Sequence, residues 1–216
     1  IGQRHAATLA SLIPRAELAV IADVHGPSAQ VLAERVRAGG WSDDPESVIA
    51  NPDIDAIVIG SSTDSHAPLI IAAAEAGKQI FCEKPIALDL EATDRALAAV
   101  DKAGVRLQMG FQRRFDKAYA RAKTLIEEGA LGRIEAIRDT MRDPNPAPRG
   151  YLETSGGLYR DMSIHNFDCV RWMVGEEVTE LFAMGSAIVD PVFAELNDID
   201  TSVVSLRFAN DALGVI

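Results

Sequence analysis

Two groups of residues in this chain have the types and the spacing that proton transfer at an alcohol requires. The first is Lys84, in the tripeptide Glu83-Lys84-Pro85. An ammonium at the carboxyl end of a parallel strand points into the crevice where such sheets bind ligands. There it can hydrogen-bond a hydroxyl and stabilise a developing alkoxide. Local chemistry alone also allows Glu83 and Lys84 to be a solvated pair just after a strand, with Pro85 only marking where the strand stops.

The second group is Asp161, His165 and Asp168, which are spaced i, i+4 and i+7 and therefore share one face of a helix. An imidazole can accept a hydroxyl proton as hydride leaves carbon, and a carboxylate one turn earlier can orient the ring or relay the proton. A solvated helix face and a metal site are the alternatives. The other histidines form no ligand cluster with this stripe, so we expect no metal. Asp168 is either a supporting acid or a surface acid beside Arg171.

Short apolar strands alternate with helical patterns in the first half of the chain, which indicates a parallel, doubly wound sheet. Strands are predicted at 17–24, 55–62, 79–84 and 105–111, and helices at 26–38, 66–76 and 90–103, the last with Asp89 as N-cap and Gly104 as C-cap. A further helical pattern opens the chain at Gly2. No strand precedes that glycine, so we expect a first strand to be missing.

The pattern changes near residue 115. We predict a helix at 115–128, a half-buried strand at 133–143, an irregular segment at 144–158, a helix at 159–174, and strands at 178–189, 201–209 and 212–216, the last two joined by a hairpin at Asn210-Asp211. The predicted fold class is therefore α/β, with an N-terminal Rossmann domain at 1–114 and a C-terminal α+β domain at 115–216 that has a largely antiparallel sheet. Its sheet is expected to be incomplete.

Gly2 and Asp23 have the relationship expected of a dinucleotide site. If Gly2 is the last glycine of G-x-G-x-x-G, Asp23 follows at about the distance of the acid that accepts hydrogen bonds from a ribose 2′-hydroxyl. A carboxylate there favours NAD over NADP. A glycine at a helix start and an acid after a strand are both common, so the pair is also compatible with no cofactor at all.

Composition excludes several classes of partner. The net charge is -11, without a Lys/Arg cluster, so nucleic acid is not expected to bind. No uncharged run is long enough for a membrane span. The two cysteines, Cys82 and Cys169, lack CxxC spacing and are predicted to be buried free thiols, which fits a cytoplasmic protein without an export signal.

The run at 60–88 resembles the signature of the glucose-fructose oxidoreductase, inositol dehydrogenase and rhizopine-catabolism (Gfo/Idh/MocA) family of dehydrogenases. It departs from the family's usual Thr-Pro at Thr63-Asp64, which leaves a turn former in place. The GFQRRFD segment at 110–116 resembles the family's crossing between its two domains. The resemblance implies that NAD is bound by residues spread over the first domain and the crossing: Gly2, Asp23, Ser61, Ser62, Thr63, His66, Glu83, Lys84 and Gln112.

The family's D-x-x-x-H pattern matches Asp161 and His165, and the resemblance assigns catalysis to them together with Lys84. The stretch 142–168 looks like the inositol 2-dehydrogenases, although Asn166 stands where those often have an acid. The substrate residues implied are Arg113, Tyr151, Ser155, Asp161 and His165. By chemistry alone, Arg113 and Arg114 could equally be a surface pair on a connecting segment.

The resemblance implies NAD-dependent oxidation of a ring secondary hydroxyl of a polyol or sugar, with myo-inositol and its 2-keto product as the leading pair. Another inositol epimer or an aldose is the alternative substrate. It also implies a homo-oligomer, a tetramer, formed through the open face of the second sheet. Family members continue past both ends of this chain, so the function expected is that of the complete protein. A non-catalytic member that senses NAD or a sugar is the alternative of a different class.

Overall fold

The computed structural model describes residues 1–216, which divide into two units, Ile1–Gly110 and Phe111–Ile216. The first unit alternates helices and strands: α1 Gly2–Leu12, β1 Val20–Ala22, α2 Gly26–Val36, β2 Gly40–Ser42, α3 Pro45–Ala50, β3 Ala56–Ile59, α4 Thr63–Glu75, β4 Gln79–Cys82, α5 Leu90–Ala103 and β5 Leu107–Met109. Every strand pair in it is parallel, β1 with β2 and, separately, β3-β4-β5. The predicted Rossmann-like parallel α/β architecture is confirmed.

Capping and burial explain where the elements of the first unit lie. The carboxylate of Asp89 accepts from Ala92 N–H at 2.7 Å and starts α5, and Gly104, at φ 67°, ends it, as predicted. Helix α4 contacts α5, and the fully buried Ile70 and Ala73 of α4 lie in the core that also contains Cys82 of β4. Burial raises the pKa of the Cys82 thiol to about 12, so it is an inert apolar side chain at neutral pH.

The second unit contains a mixed sheet with helices beside it. Its elements are a 3₁₀-helix Gln112–Phe115, α6 Lys117–Glu127, β6 Ala136–Arg138, α7 Arg149–Ser155, a π-helical turn Tyr159–Ser163, α8 Ile164–Val174, β7 Val178–Ser186, α9 Pro191–Glu195, β8 Thr201–Phe208 and β9 Leu213–Val215. The sheet order is β6-β9-β8-β7, with β7-β8 and β8-β9 antiparallel. The predicted, largely antiparallel sheet and its hairpin at Asn210-Asp211 are confirmed.

Several local predictions were wrong. The segment predicted to be irregular contains α7, which the Arg149–Glu153 ion pair supports and which Gly156 ends at φ 91°. The predicted strand 133–143 shortens to β6, which pairs in parallel with β9. The short elements β2, α3 and α9 were not predicted, and α4 begins at Thr63 rather than at His66.

Burial alternates along β8, which shows how the sheet of the second unit faces its core. Val204, Leu206 and Phe208 are buried with Val170 of α8, whereas the residues between them are exposed. Large apolar side chains on the opposite, exposed face are Phe182, Met184, Val203, Leu213 and Val215, with exposed fractions between 41% and 64%. We call these five residues the open face. No helix in the structure is long and apolar enough to cross a membrane.

Asp200 closes the loop between β7 and α9, and it gives a pH-dependent prediction. Partial burial raises its pKa, but N–H donors of Ile188, Val189 and Asp190 outweigh this and lower the pKa from 3.8 to about 2. Because the Asp200 pKa is lower in the folded than in the unfolded protein, the ionised carboxylate stabilises the fold above about pH 4. This stabilisation is lost as the pH falls from about 4 towards 2. We expect Asp200→Asn to lower the urea midpoint at pH 7, and the difference from wild type to shrink below about pH 4. The prediction is contradicted if the difference in urea midpoint between Asp200→Asn and wild type does not change with pH and equals that of the exposed control Asp143→Asn.

Candidate functional site

Lys84 lies two residues beyond Cys82, the last residue of β4, and both of its neighbours in sequence are held by histidines. The backbone N–H of Glu83 donates to the Ile59 carbonyl at 2.9 Å, and its carboxylate lies 2.6 Å from Nε2 of His5. On the other side, Nδ1 of His66 lies 2.7 Å from the Pro85 carbonyl oxygen. The residues on either side of the lysine are therefore held by side chains from α1 and α4, at the Glu83 carboxylate and at the Pro85 carbonyl.

The turn from β3 into α4 contains the other residues predicted to contact the cofactor. Ser62 precedes the helix, and its carbonyl accepts both from the N–H of Ser65 and from the hydroxyl of Ser65. His66, only 2% exposed, also places Nε2 3.2 Å from the Ser61 carbonyl. His66 thereby connects this turn to the segment after Lys84, while its contact with NAD stays a prediction. Ser61 and Ser62 are exposed in the same turn, and Thr63 is half-buried.

The start of α1 approaches the end of β3 closely. A Cβ on Gly2 would lie 3.4 Å from the Gly60 carbonyl oxygen, and one on Gly60 would lie 3.3 Å from the Gly2 Cα. The N-cap Ile1 offers no side-chain acceptor, which leaves N–H groups of the first turn for a ligand. A helix start of this kind suits a phosphate. Asp23, just beyond β1, is exposed and accepts a hydrogen bond from the His25 N–H.

These features fit the family's dinucleotide cofactor. The glycine contact lets the backbone approach a pyrophosphate, the first turn of α1 supplies N–H donors, and the Asp23 carboxylate is available to a ribose. Gln112 is exposed in the 3₁₀-helix at the start of the second unit. The assignment of individual residues to NAD remains a prediction.

Asp161 and His165 lie on one continuous helical segment of the second unit, but only His165 is on a regular α-helix. Asp161 is in the π-helical turn and His165 in the first turn of α8. Such insertions widen the helix and are frequent at functional sites. The Tyr151 hydroxyl donates to Oδ1 of Asp161 at 2.7 Å, and burial together with this bond raises the pKa of the tyrosine. The Phe111 ring lies edge-on to His165, with centroids 6.3 Å apart.

Two residues predicted to bind substrate are engaged elsewhere within the second unit. The Arg113 guanidinium donates to Asp139 Oδ2 at 2.6 Å, and both side chains are nearly buried. The Ser155 hydroxyl donates to the Leu152 carbonyl of its own helix, and the residue is 4% exposed. Their contact with a substrate stays a prediction, whereas Tyr151, 49% exposed, is open to one.

The view of Asp168 as a surface acid beside Arg171 is wrong. Its carboxylate accepts from Nε and Nη2 of Arg114 at 2.9 and 2.6 Å, and the side chain is 9% exposed. Arg171 instead pairs with Glu177. Because i, i+3 spacing pointed to Arg171, local reasoning missed a partner 54 residues away. This fork-like pair connects the 3₁₀-helix to α8, the helix that carries His165.

The Arg114–Asp168 pair predicts an asymmetric loss of stability. Arg114→Met leaves a carboxylate buried without its partner, and we expect it to cost about 3 kcal/mol in the free energy of unfolding. Asp168→Asn leaves a guanidinium that is 41% exposed and can be rehydrated, so about 1 kcal/mol is expected. Urea unfolding of both measures this. The control Arg171→Met, which breaks an exposed pair, should cost less than about 1 kcal/mol, and equal losses in all three would contradict us.

Sequence reasoning also missed the residues that hold the segment between α7 and the π-helical turn. Oδ1 of Asp198 accepts from the Leu158 N–H at 3.2 Å. Gly157, at φ 83°, faces the same carboxylate, and a Cβ there would lie 2.8 Å from Oδ1. The Gly156-Gly157 pair in the sequence was the available signal, because two adjacent glycines indicate unusual backbone or close approach.

Comparison with known proteins agrees with this architecture. Residues 1–111 match the family model described as an oxidoreductase family with an NAD-binding Rossmann fold, and residues 119–216 match that of the GFO/IDH/MocA C-terminal domain. An uncharacterized oxidoreductase, YrbE, of Bacillus subtilis is 46% identical over the whole chain, which covers 63% of that protein. A myo-inositol 2-dehydrogenase of Thermotoga maritima is 43% identical over the whole chain, which covers 64% of that enzyme.

Solved structures show the same likeness. A scyllo-inositol dehydrogenase of Lactobacillus casei, with bound NAD(H) and scyllo-inositol, matches with a TM-score of 0.86 at 30% identity, covering 98% of this chain and 64% of that one. The chain thus spans somewhat less than two thirds of the length of the relatives it matches. Both units match, in the order in which the family has them. On these grounds the chain belongs to the Gfo/Idh/MocA family of oxidoreductases.

Proposed function

We propose that the whole protein is an NAD-dependent dehydrogenase that oxidises a ring secondary hydroxyl of a polyol, with myo-inositol and its 2-keto product as the leading pair. The observation that carries the proposal is the Tyr151–Asp161 hydrogen bond, which holds an acid four residues before the candidate base His165. The relatives named myo-inositol 2-dehydrogenase and scyllo-inositol dehydrogenase support the substrate class. An aldose is the alternative substrate.

The roles of the three catalytic residues follow from their chemistry. The Lys84 ammonium hydrogen-bonds the reacting hydroxyl oxygen and stabilises the negative charge that develops there. The neutral His165 imidazole accepts the hydroxyl proton, and Asp161 orients the ring and stabilises its protonated form. NAD, when bound, would supply the hydride acceptor for the carbon that bears this hydroxyl. Alcohol and NAD⁺ thereby give ketone, NADH and one proton.

The cofactor residues are proposed from the first unit and the start of the second. Gly2 and the turn Ser61, Ser62 and Thr63 would approach the pyrophosphate and nicotinamide half, and Asp23 would accept hydrogen bonds from the adenosine ribose. An acid at that ribose disfavours the 2′-phosphate of NADP. Residues proposed in addition for the nicotinamide end are His66, Glu83, Lys84 and Gln112, with Arg113, Tyr151 and Ser155 proposed at the substrate.

The decisive experiment is an assay of the whole protein for NADH formation with a panel of inositol epimers and aldoses, each with NAD and with NADP. We expect turnover with at least one inositol and a preference for NAD. Turnover of aldoses alone would change the proposed substrate from a polyol to an aldose. Binding of NAD without turnover of any polyol or sugar would favour a non-catalytic sensor instead.

We also propose a homo-oligomer, a tetramer, in the cytoplasm. The open face supports assembly, because five large apolar side chains share one side of an antiparallel sheet. The two buried free thiols support a reducing compartment. We expect Met184→Glu combined with Val203→Glu to lower the mass measured by sedimentation, whereas Glu180→Gln in β7 leaves it unchanged. An unchanged mass in the double variant would contradict the proposed interface.

A further inference from the structure

The Glu83 carboxylate is enclosed from two sides, although it follows the end of a strand. Its Oε1 lies 2.6 Å from Nε2 of His5, and the exposed fractions of the two side chains are only 15% and 26%. Its Oε2 faces the backbone of Gly110, just beyond β5, where a Cβ would lie 2.8 Å away. An alanine at residue 110 would therefore force this carboxylate to shift.

His5 contacts two side chains of the same extended segment. Its ring lies edge-on to Phe81, with centroids 5.1 Å apart and planes at 63°. Phe81 and Glu83 are two residues apart, so their side chains leave the sheet on the same side. A single side chain of α1, one turn after Gly2, thus holds the part of β4 that leads directly into Lys84.

The consequence concerns the position of the Lys84 ammonium. A lysine side chain is a flexible stem, so the place its nitrogen can reach depends on how firmly the backbone below it is held. His5 holds the Glu83 side chain on one side of Lys84, and His66 holds the Pro85 carbonyl on the other. A misplacement of about 1 Å at a reacting group can cost about 100-fold in rate.

We propose that His5 is a positioning residue for Lys84, acting through Glu83, and that it couples the helix that receives the cofactor pyrophosphate to the strand end that carries the ammonium. This inference rests on the proposed function, because that proposal places the Lys84 ammonium at the reacting hydroxyl. It gives Glu83 a task different from direct cofactor contact. A purely structural contact would alter the stability of the fold but not the turnover of the folded enzyme.

The test compares four variants of the whole protein. His5→Phe keeps the ring beside Phe81 but loses the donor, and we expect kcat to fall about 10-fold and the affinity for NADH to fall several-fold. His5→Gln restores an N–H at similar reach and should return kcat to within about 3-fold of wild type. Gly110→Ala displaces the carboxylate without touching His5 and should resemble His5→Phe.

Arg35→Ala is the matched control. It breaks another polar contact of α1, the hydrogen bond from Arg35 to Gln3 at 3.0 Å, on the side towards α2. Its kcat, KM for NAD and affinity for NADH should equal those of wild type. Thermal melting of every variant separates lost folding from lost activity.

The outcomes separate this inference from the proposed function. If His5→Phe and Gly110→Ala melt at lower temperature but keep wild-type kcat and NADH affinity, the contact is structural and the inference is overturned. If the wild type turns over no polyol, the proposed substrate fails, and nicotinamide fluorescence still decides on His5: equal NADH affinity in His5→Phe and Arg35→Ala overturns the inference. Failure of His5→Gln to recover would equally contradict it.

Discussion

Lys84→Met in the whole protein is expected to lower kcat for polyol oxidation by about 10³-fold, with the fold intact. The substitution keeps the length of the side chain but removes the charge that would stabilise the developing alkoxide, and loss of one such donor typically costs about 10²–10³-fold. Steady-state NADH formation at saturating NAD and polyol measures the effect. Circular dichroism and thermal melting establish that the variant folds.

The control for this variant is Lys102→Met, the same change at an exposed residue in the last turn of α5. It should leave kcat within about 2-fold of wild type, because surface charges of this kind contribute little. If Lys84→Met retains a tenth or more of the wild-type kcat, the ammonium does not stabilise the reacting oxygen. The role assigned to the Glu83-Lys84-Pro85 segment would then be abandoned.

His165→Gln is expected to lower kcat by about 10²–10⁴-fold and to change its pH dependence. A general base must be unprotonated, so the wild-type rate rises with pH as the imidazole loses its proton. Glutamine cannot accept the proton in this range, and the acid limb of the profile should disappear. Measurement of kcat across the acid and neutral range with wild type and variant tests both statements.

His25→Gln is the matched control, because His25 is exposed before α2 and its imidazole contacts Ser28 of the same turn. Its rate and profile should match those of wild type. A His165→Gln enzyme that keeps the acid limb would show that another group accepts the proton. Tyr151→Phe, which removes the hydrogen bond to Asp161, should give a smaller loss than His165→Gln, because the carboxylate stays in place.

Periodic patterns predicted the elements well where the elements are long. Helix α5, Leu90–Ala103, lies between its predicted N-cap Asp89 and C-cap Gly104, since both ends are decided by neighbouring atoms. Short elements were predicted poorly because their formation depends on distant residues. Three-residue strands such as β2 and β6 form because a partner strand lies beside them. Helix α7 was missed because the prolines and glycines on both sides of this short segment predict a loop.

The sequence by itself determined the family and the parallel α/β alternation of the first unit, because residue types and helical or strand spacing are local properties. It also supplied Lys84, Asp161 and His165 as catalytic candidates, whose roles stay predictions. Tertiary structure alone decided which side chains pair around these candidates. It paired Asp168 with Arg114 rather than Arg171, and brought His5 to Glu83 across 78 residues. Such contacts depend on which elements are neighbours in space, and distance along the sequence carries no information about them.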